Sequence, residues 1–260
     1  MSRSSRNKSR AANPRVERVR TLIIASALGL AAVVTALGLW YGTGGGASGE
    51  LVEGTHYRLI EDAPPRAAGA PIVVQEVFSY ACVHCRNFDP LIEEWQANQA
   101  DDVRFERIPA AFSPAWAVLA QAYHALDTLG IRERHHERLF AAIHDTGRQF
   151  VNIEEVAEFV DGFGTTADAF LAAARGPAVA QRMRQNERSL ATLGITGVPT
   201  LIVAGRYLVG MNEGRKTALD TVDQLIARER AGATTEGAAP AASAGAAPDA
   251  AEPVSSKPSA

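Results

Sequence analysis

The chain holds two cysteines, and both stand in one motif, Cys82-Val83-His84-Cys85. Two thiols at that spacing can close a small disulfide ring and reopen it, so the chemistry they offer is dithiol–disulfide exchange. An apolar, β-rich run precedes them directly (IVVQEVF, Ile72–Phe78), and a helical stretch follows from His84 to Gln99. The pair therefore opens a helix, where unpaired N–H groups and aligned peptide dipoles stabilise an anion. Cys82, at the tip, is the expected reactive sulfur, its thiol more acidic than the free value of about 8.5. Cys85, one turn in, suits a resolving thiol. His84 lies between them and can give the Cys82 thiolate a hydrogen bond or, when protonated, a charge. Other uses of two cysteines fit worse. A structural disulfide over so short a loop constrains the unfolded chain little. A zinc site wants about four ligands. A c-type haem attachment needs His after the second cysteine, and Arg86 stands there. Neither a metal nor an organic cofactor is called for.

One further feature could serve this chemistry. Val198-Pro199 lies in a loop (GITGVPT) just before a strand, where a cis peptide is the functional reading and a simple helix stop the bland one.

The remaining pattern supplies the frame. Val103–Ile108 alternates as a half-buried strand. Helical stretches follow over Pro114–Leu129, Arg132–His144, Ile153–Phe163, Ala167–Ala174 and Pro177–Leu193. Thr200–Val203 and Arg206–Val209 flank Ala204-Gly205 as a hairpin, and Lys216–Arg230 closes the domain as a helix. The order is β-α-β, a helical block, then β-β-α.

SYACVHC opening a helix after an apolar strand, with GVPTLIVAGRY downstream, resembles the DsbA family of thiol:disulfide oxidoreductases. The resemblance covers about Tyr57 to Arg230. It implies an α/β thioredoxin fold with an inserted all-helical domain, with 57–110 and 195–230 as the thioredoxin-like part and 111–194 as the insertion. It makes Cys82 the nucleophile, Cys85 its partner, Val198-Pro199 the cis-proline loop and Glu76 the buried acid. Pro90 matches the proline that kinks the active-site helix in thioredoxins. The dipeptide between the cysteines is Val-His where many relatives have Pro-His. The implied activity is insertion of disulfide bonds into unfolded or reduced exported polypeptides by a monomer, with reoxidation by a quinone-linked, DsbB-like membrane oxidase. Two alternatives stay open: a reductase or isomerase on the same fold, and a tethered polypeptide-binding module.

Charge is uneven along the chain. Residues 1–20 carry seven Lys or Arg and Glu17 alone of the acids, while the remaining 240 residues sum to −9. The whole chain, at −3, shows no basic excess for nucleic acid. Leu22–Tyr41 is uncharged and free of proline, long enough at 1.5 Å per residue to span about 30 Å. With the basic segment 1–20 before it, this reads as a transmembrane anchor or uncleaved signal over 21–41. The expectation is a single-pass bacterial inner-membrane protein with its catalytic domain in the periplasm. A signal cleaved near Gly45-Gly46-Ala47 is the competing reading. Residues 42–56 read as a flexible tether. Residues 231–260 hold twelve Ala and four Pro and read as a disordered tail.

The other candidates are bland. His135, His136 and His144 set no trio on one helix face, and His56 and His124 read as surface or packing residues. Trp95 and Trp116 read as core. Phe78, Tyr80 and Phe112 are either core or an apolar surface around Cys82.

Overall fold

The computed structural model describes residues 23–35, 51–67 and 69–237. Residues 23–35 form a helix, α1. Its 13 residues extend about 20 Å, short of the roughly 30 Å of hydrocarbon in a bilayer. Among the described residues no helix is long and apolar enough to cross a membrane. The expected anchor over 21–41, and with it the single-pass inner-membrane placement, is corrected accordingly. Residues 1–22, 36–50, 68 and 238–260, which include the basic segment, both ends of the expected anchor and most of the tether, lie outside the described residues.

The second unit begins at Leu51. Its strands are β1 (Arg58–Leu59), β2 (Ile72–Phe78), β3 (Val103–Pro109), β4 (Thr200–Val203) and β5 (Tyr207–Val209). They form one sheet in the order β1-β5-β4-β2-β3. The central strand β2 is rich in β-branched residues and almost wholly buried. It runs parallel to β3, Ile72 facing Val103 and Phe78 facing Pro109, which requires a crossover. That crossover is α2 (Val83–Ala97). β4 and β5 turn back on each other at Ala204 and Gly205, whose positive φ values of 52° and 65° make the tight hairpin with the right-handed twist. β1 was not anticipated; two residues long, it lies antiparallel to β5 with Arg58 opposite Leu208. So short a strand carries no periodic signal of its own.

α8 (Arg215–Gly237) packs with α2 on one face of the sheet. Phe88, Ile92 and Trp95 meet Val222, Leu225 and Ile226 over Val74, Leu201 and Val203. α8 runs seven residues, Ala231–Gly237, into the segment expected to be disordered.

Between β3 and β4 stand α3 (Pro114–Thr128), α4 (Arg132–His144), α5 (Ile153–Val160), α6 (Ala167–Ala174) and α7 (Pro177–Thr192). Side chains cap three of them: Ser113 Oγ accepts from Trp116 N, Asn152 from Glu155 N and Thr166 from Ala169 N. α5 stops at Val160 rather than the expected Phe163, because Asp161 turns to extended geometry (ψ 134°) and Gly162 takes a φ of 73°. The block's core (Leu126, Leu139, Phe140, Val156, Phe170) is continuous with Phe78, Tyr80 and both cysteines. The helical insertion therefore packs directly behind the thiol pair.

Candidate active site

β2 ends at Phe78, and the next four residues bring the chain round into α2. Cys82 N donates to Ser79 O at 3.1 Å, and Cys82 O accepts the first helical bond from Arg86 N. Cys82 is thus the N-cap, with extended φ and ψ and no side-chain cap of its own. Its sulfur stands where a capping oxygen would, facing unpaired N–H groups. Cys82 is 9% exposed and Cys85 is fully buried; both are thiols.

Electrostatics divide the two sulfurs. The Cys85 S–H donates to Cys82, the backbone N–H groups of Cys85 and His84 add to it, and the charge of His84 contributes least. Against burial, these bring the Cys82 thiol down from 9.0 to about 6. Cys85 is pushed far up, first by giving its proton to that hydrogen bond and then by burial. His84 itself is exposed and acts on the sulfur chiefly through its main chain.

The Val198-Pro199 peptide is cis, and Val198 O lies 3.8 Å from Cys82 Sγ, across 116 residues of sequence. His84 and the 198–199 loop line one cleft of about 570 Å³, with Met211, Asn212 and Arg215 on its far side.

Glu76 is buried, and desolvation raises its carboxyl from 4.5 to about 7 although Arg107 opposes that rise. Arg107 stands opposite Glu76 in the parallel β2–β3 register and donates from Nε at 3.0 Å. Its Nη2 donates to Asp89 at 3.2 Å and to Glu93 at 2.5 Å. Asp89 also accepts from His136 Nε2 at 2.9 Å. On the other side of the ring, His136 Nδ1 lies 2.9 Å from the Tyr80 hydroxyl. His144 Nε2 donates to Tyr80 O. One buried network therefore runs from the strand before Cys82, through α2, to α4 in the helical block. Asp89, Glu93 and His136 bring ligand atoms within 4.8 Å of one another, and the cation they enclose is the Arg107 guanidinium.

Arg107 and Asp89 were not singled out from sequence, and Tyr80 and His136 were read without this pairing. One signal was available: a carboxylate inside a buried strand needs a cation from a neighbour, and VRFERI offers Arg104 and Arg107. Phe78 and Tyr80 prove to be core, whereas Phe112 is exposed and stacks on half-buried Trp116 at 5.8 Å between ring centroids. His135 donates to Phe163 O, and His124 accepts from Asn186, so both are packing residues.

A family model described as a DSBA-like thioredoxin domain matches residues 73–219, more than half of the chain. The chain belongs to the DsbA-like thioredoxin family. Thiol:disulfide interchange protein DsbA of Pseudomonas syringae pathovar tomato is 35% identical over 83% of this chain and 98% of its own length. The DsbA of Azotobacter vinelandii is 35% identical over 68% of this chain and 84% of its own. Among solved structures, Xylella fastidiosa DsbA superposes with a TM-score of 0.65 at 38% identity, covering 70% of this chain and 98% of that one. Pseudomonas aeruginosa DsbA gives 0.66 at 32% identity, covering 71% and 97%. The protein is accordingly a disulfide-forming thiol:disulfide oxidoreductase on a thioredoxin fold with a helical insert. The family match spans Glu76, Cys82, His84, Cys85, Val198 and Pro199.

Proposed function

We propose that Cys82 is the nucleophilic sulfur of an enzyme that inserts disulfide bonds into reduced polypeptides, with the Cys82–Cys85 disulfide as its working form. A substrate thiolate attacks Cys82 Sγ, and the Cys82–Cys85 bond breaks with its electron pair going to Cys85. Buried Cys85 is a poor thiolate, so it takes a proton; Glu76, with a carboxyl at about 7 and a field that acts on Cys85, is the donor. A second substrate thiolate then attacks the substrate sulfur of the mixed disulfide and expels Cys82 as a thiolate. The substrate is oxidised by two electrons and the enzyme reduced. A quinone-linked oxidase of the DsbB kind restores the disulfide, as the membership in this family suggests. The Val198-Pro199 loop would hold the extended substrate chain by its backbone.

The observation that carries this reading is the acidity of Cys82. A thiol near 6 leaves readily and stabilises the reduced enzyme, which makes the disulfide form oxidising. At pH 7 a fall from 9.0 to about 6 favours the reduced form by about 1.4 kcal/mol, or about 30 mV for a two-electron couple. The reductase or isomerase direction is separated by one measurement, the equilibrium of the Cys82/Cys85 pair with glutathione. Oxidation should lie with the substrate, and Cys82→Ala should abolish oxidation of a reduced model peptide. A Cys82→Ala protein that still oxidises the peptide would overturn the assignment.

A further inference from the structure

We infer that the groove beside Cys82 favours reduced polypeptides carrying acidic residues within a few positions of the reacting cysteine. This rests on the exchange at Cys82 proposed above and names the substrate class it would take.

The cleft lined by His84, Val198, Pro199 and Arg215 does not end at the cis-proline loop. A second cleft, of about 300 Å³, shares Gly197, Thr200, Gly210 and Asn212 with it and continues to His56 and Arg58. Together they make one groove from the tip of α2 to the edge strand β1. No Asp or Glu lines either part, and His84, Arg215, His56 and Arg58 do. That sign is opposite to the rest of the chain, which sums to −9 beyond residue 20.

Among the described residues, no carboxylate lies within 4.0 Å of Arg58 or Arg215, as is also true of Arg134, Arg138, Arg148, Arg184 and Arg188. What sets Arg58 and Arg215 apart is that both line clefts free of acidic residues. Arg58 Nη2 donates to Leu193 O at 2.9 Å, which fixes the guanidinium without neutralising it. Arg215 opens α8, whose first turn contains no acidic residue. The peptide dipoles of that helix start add to its positive field at the groove wall. A cation is unfavourable for the helix at this position, so its place in the groove serves no local folding need. Glu213, in the loop before α8, is exposed and lines neither cleft. Met211, Val198 and Pro199 supply apolar surface between the charges. An extended segment with an acidic side chain beside its cysteine would match both.

The test uses the oxidised full-length protein and three dithiol peptides that differ only in Glu, Gln or Lys beside the cysteine. Each kcat/KM is divided by the peptide's rate with hydroxyethyl disulfide, an uncharged oxidant, to remove the effect of the flanking charge on the thiol itself. At low ionic strength the Glu peptide should exceed the Lys peptide about fivefold, falling below about twofold in 0.5 M salt as the charges are screened. Arg215→Glu, which suits a helix start and should keep the fold, should cancel or invert the order. Arg58→Gln should narrow it. Arg134→Glu, the same charge change on α4, should leave the ratio as in the unmodified protein. Equal normalised rates for the Glu and Lys peptides, or a ratio that survives Arg215→Glu, would overturn the inference. If none of the peptides is oxidised, the exchange at Cys82 fails and takes the inference with it.

Discussion

Cys82 draws its acidity from groups fixed by the start of α2: the Cys85 S–H and two backbone N–H groups come before the His84 charge. Thiolate absorbance at 240 nm should therefore show an inflection at about 6 in the reduced protein. His84→Ala removes the weakest of these contributions but keeps its N–H, so the inflection should rise and still fall short of about 8.5. Glu76 is the opposite case. Its carboxyl is raised by burial, and Arg107 limits the rise. Arg107→Leu leaves that carboxyl buried without a cation and should cost about 3–5 kcal/mol in urea unfolding. Adding Glu76→Gln to Arg107→Leu should recover part of the loss. A double variant no more stable than Arg107→Leu would contradict this pairing.

Elements meet at the network rather than at an apolar seam alone. α2 supplies Asp89, β3 supplies Arg107, and α4 supplies His136, which reaches the Tyr80 hydroxyl next to the thiol pair. His136→Phe keeps the aromatic packing against Phe78 and Phe140 but strips Tyr80 and Asp89 of a partner. That should cost about 1–3 kcal/mol, whereas His136→Gln, which can bond both, should cost less. Within the helical block, Leu126 is fully buried in the core shared with the thiol pair. Leu126→Ala should lower stability by about 2–5 kcal/mol, read from the urea midpoint.

At the scale of the whole molecule, Glu76 and Cys82 give stability two opposed dependences on pH. Glu76 has a folded value of about 7 above the ordinary 4.5, so its contribution is full below 4.5 and is lost as pH rises through 7. Cys82 has a folded value of about 6 below the ordinary 9.0, so its contribution is full above 9.0 and is lost as pH falls through 6. Only the reduced protein carries the second. The stability of the reduced form relative to the oxidised form should thus grow between pH 6 and 9, while the advantage of the unmodified oxidised protein over its Glu76→Gln variant should shrink between 4.5 and 7, a comparison from which His124, lowered by burial from 6.5 to about 4, cancels. Urea midpoints of both redox forms and of that variant at pH 5, 7 and 9 check both signs. A reduced-minus-oxidised difference that stays flat above pH 6 would contradict an acidic Cys82.

Much of this was legible along the chain because it depends on short-range geometry. A β-branched run, two cysteines three apart and a helical stretch place a thiol at a helix start whatever surrounds them. Ala204-Gly205 between apolar runs makes a hairpin, and Ser113, Asn152 and Thr166 cap helices through their own next few residues. The candidate anchor shows the limit of such reading: an uncharged run measures hydropathy, and no helix among the described residues, 23–35 included, is long and apolar enough to cross a membrane. What lay beyond the sequence were the pairings between distant segments. His136 meets Asp89 across 47 residues, Arg107 meets Glu76 across 31, and Val198 approaches Cys82 across 116. Hydrogen bonds and ion pairs act over a few ångströms, so which partners meet depends on strand register and helix packing. The reactive chemistry of Cys82 and Cys85 was thus written in local sequence. The pairing of buried Glu76 with Arg107, and the lining of two adjoining clefts by Arg58 and Arg215, exist only because the folded chain brings distant segments together.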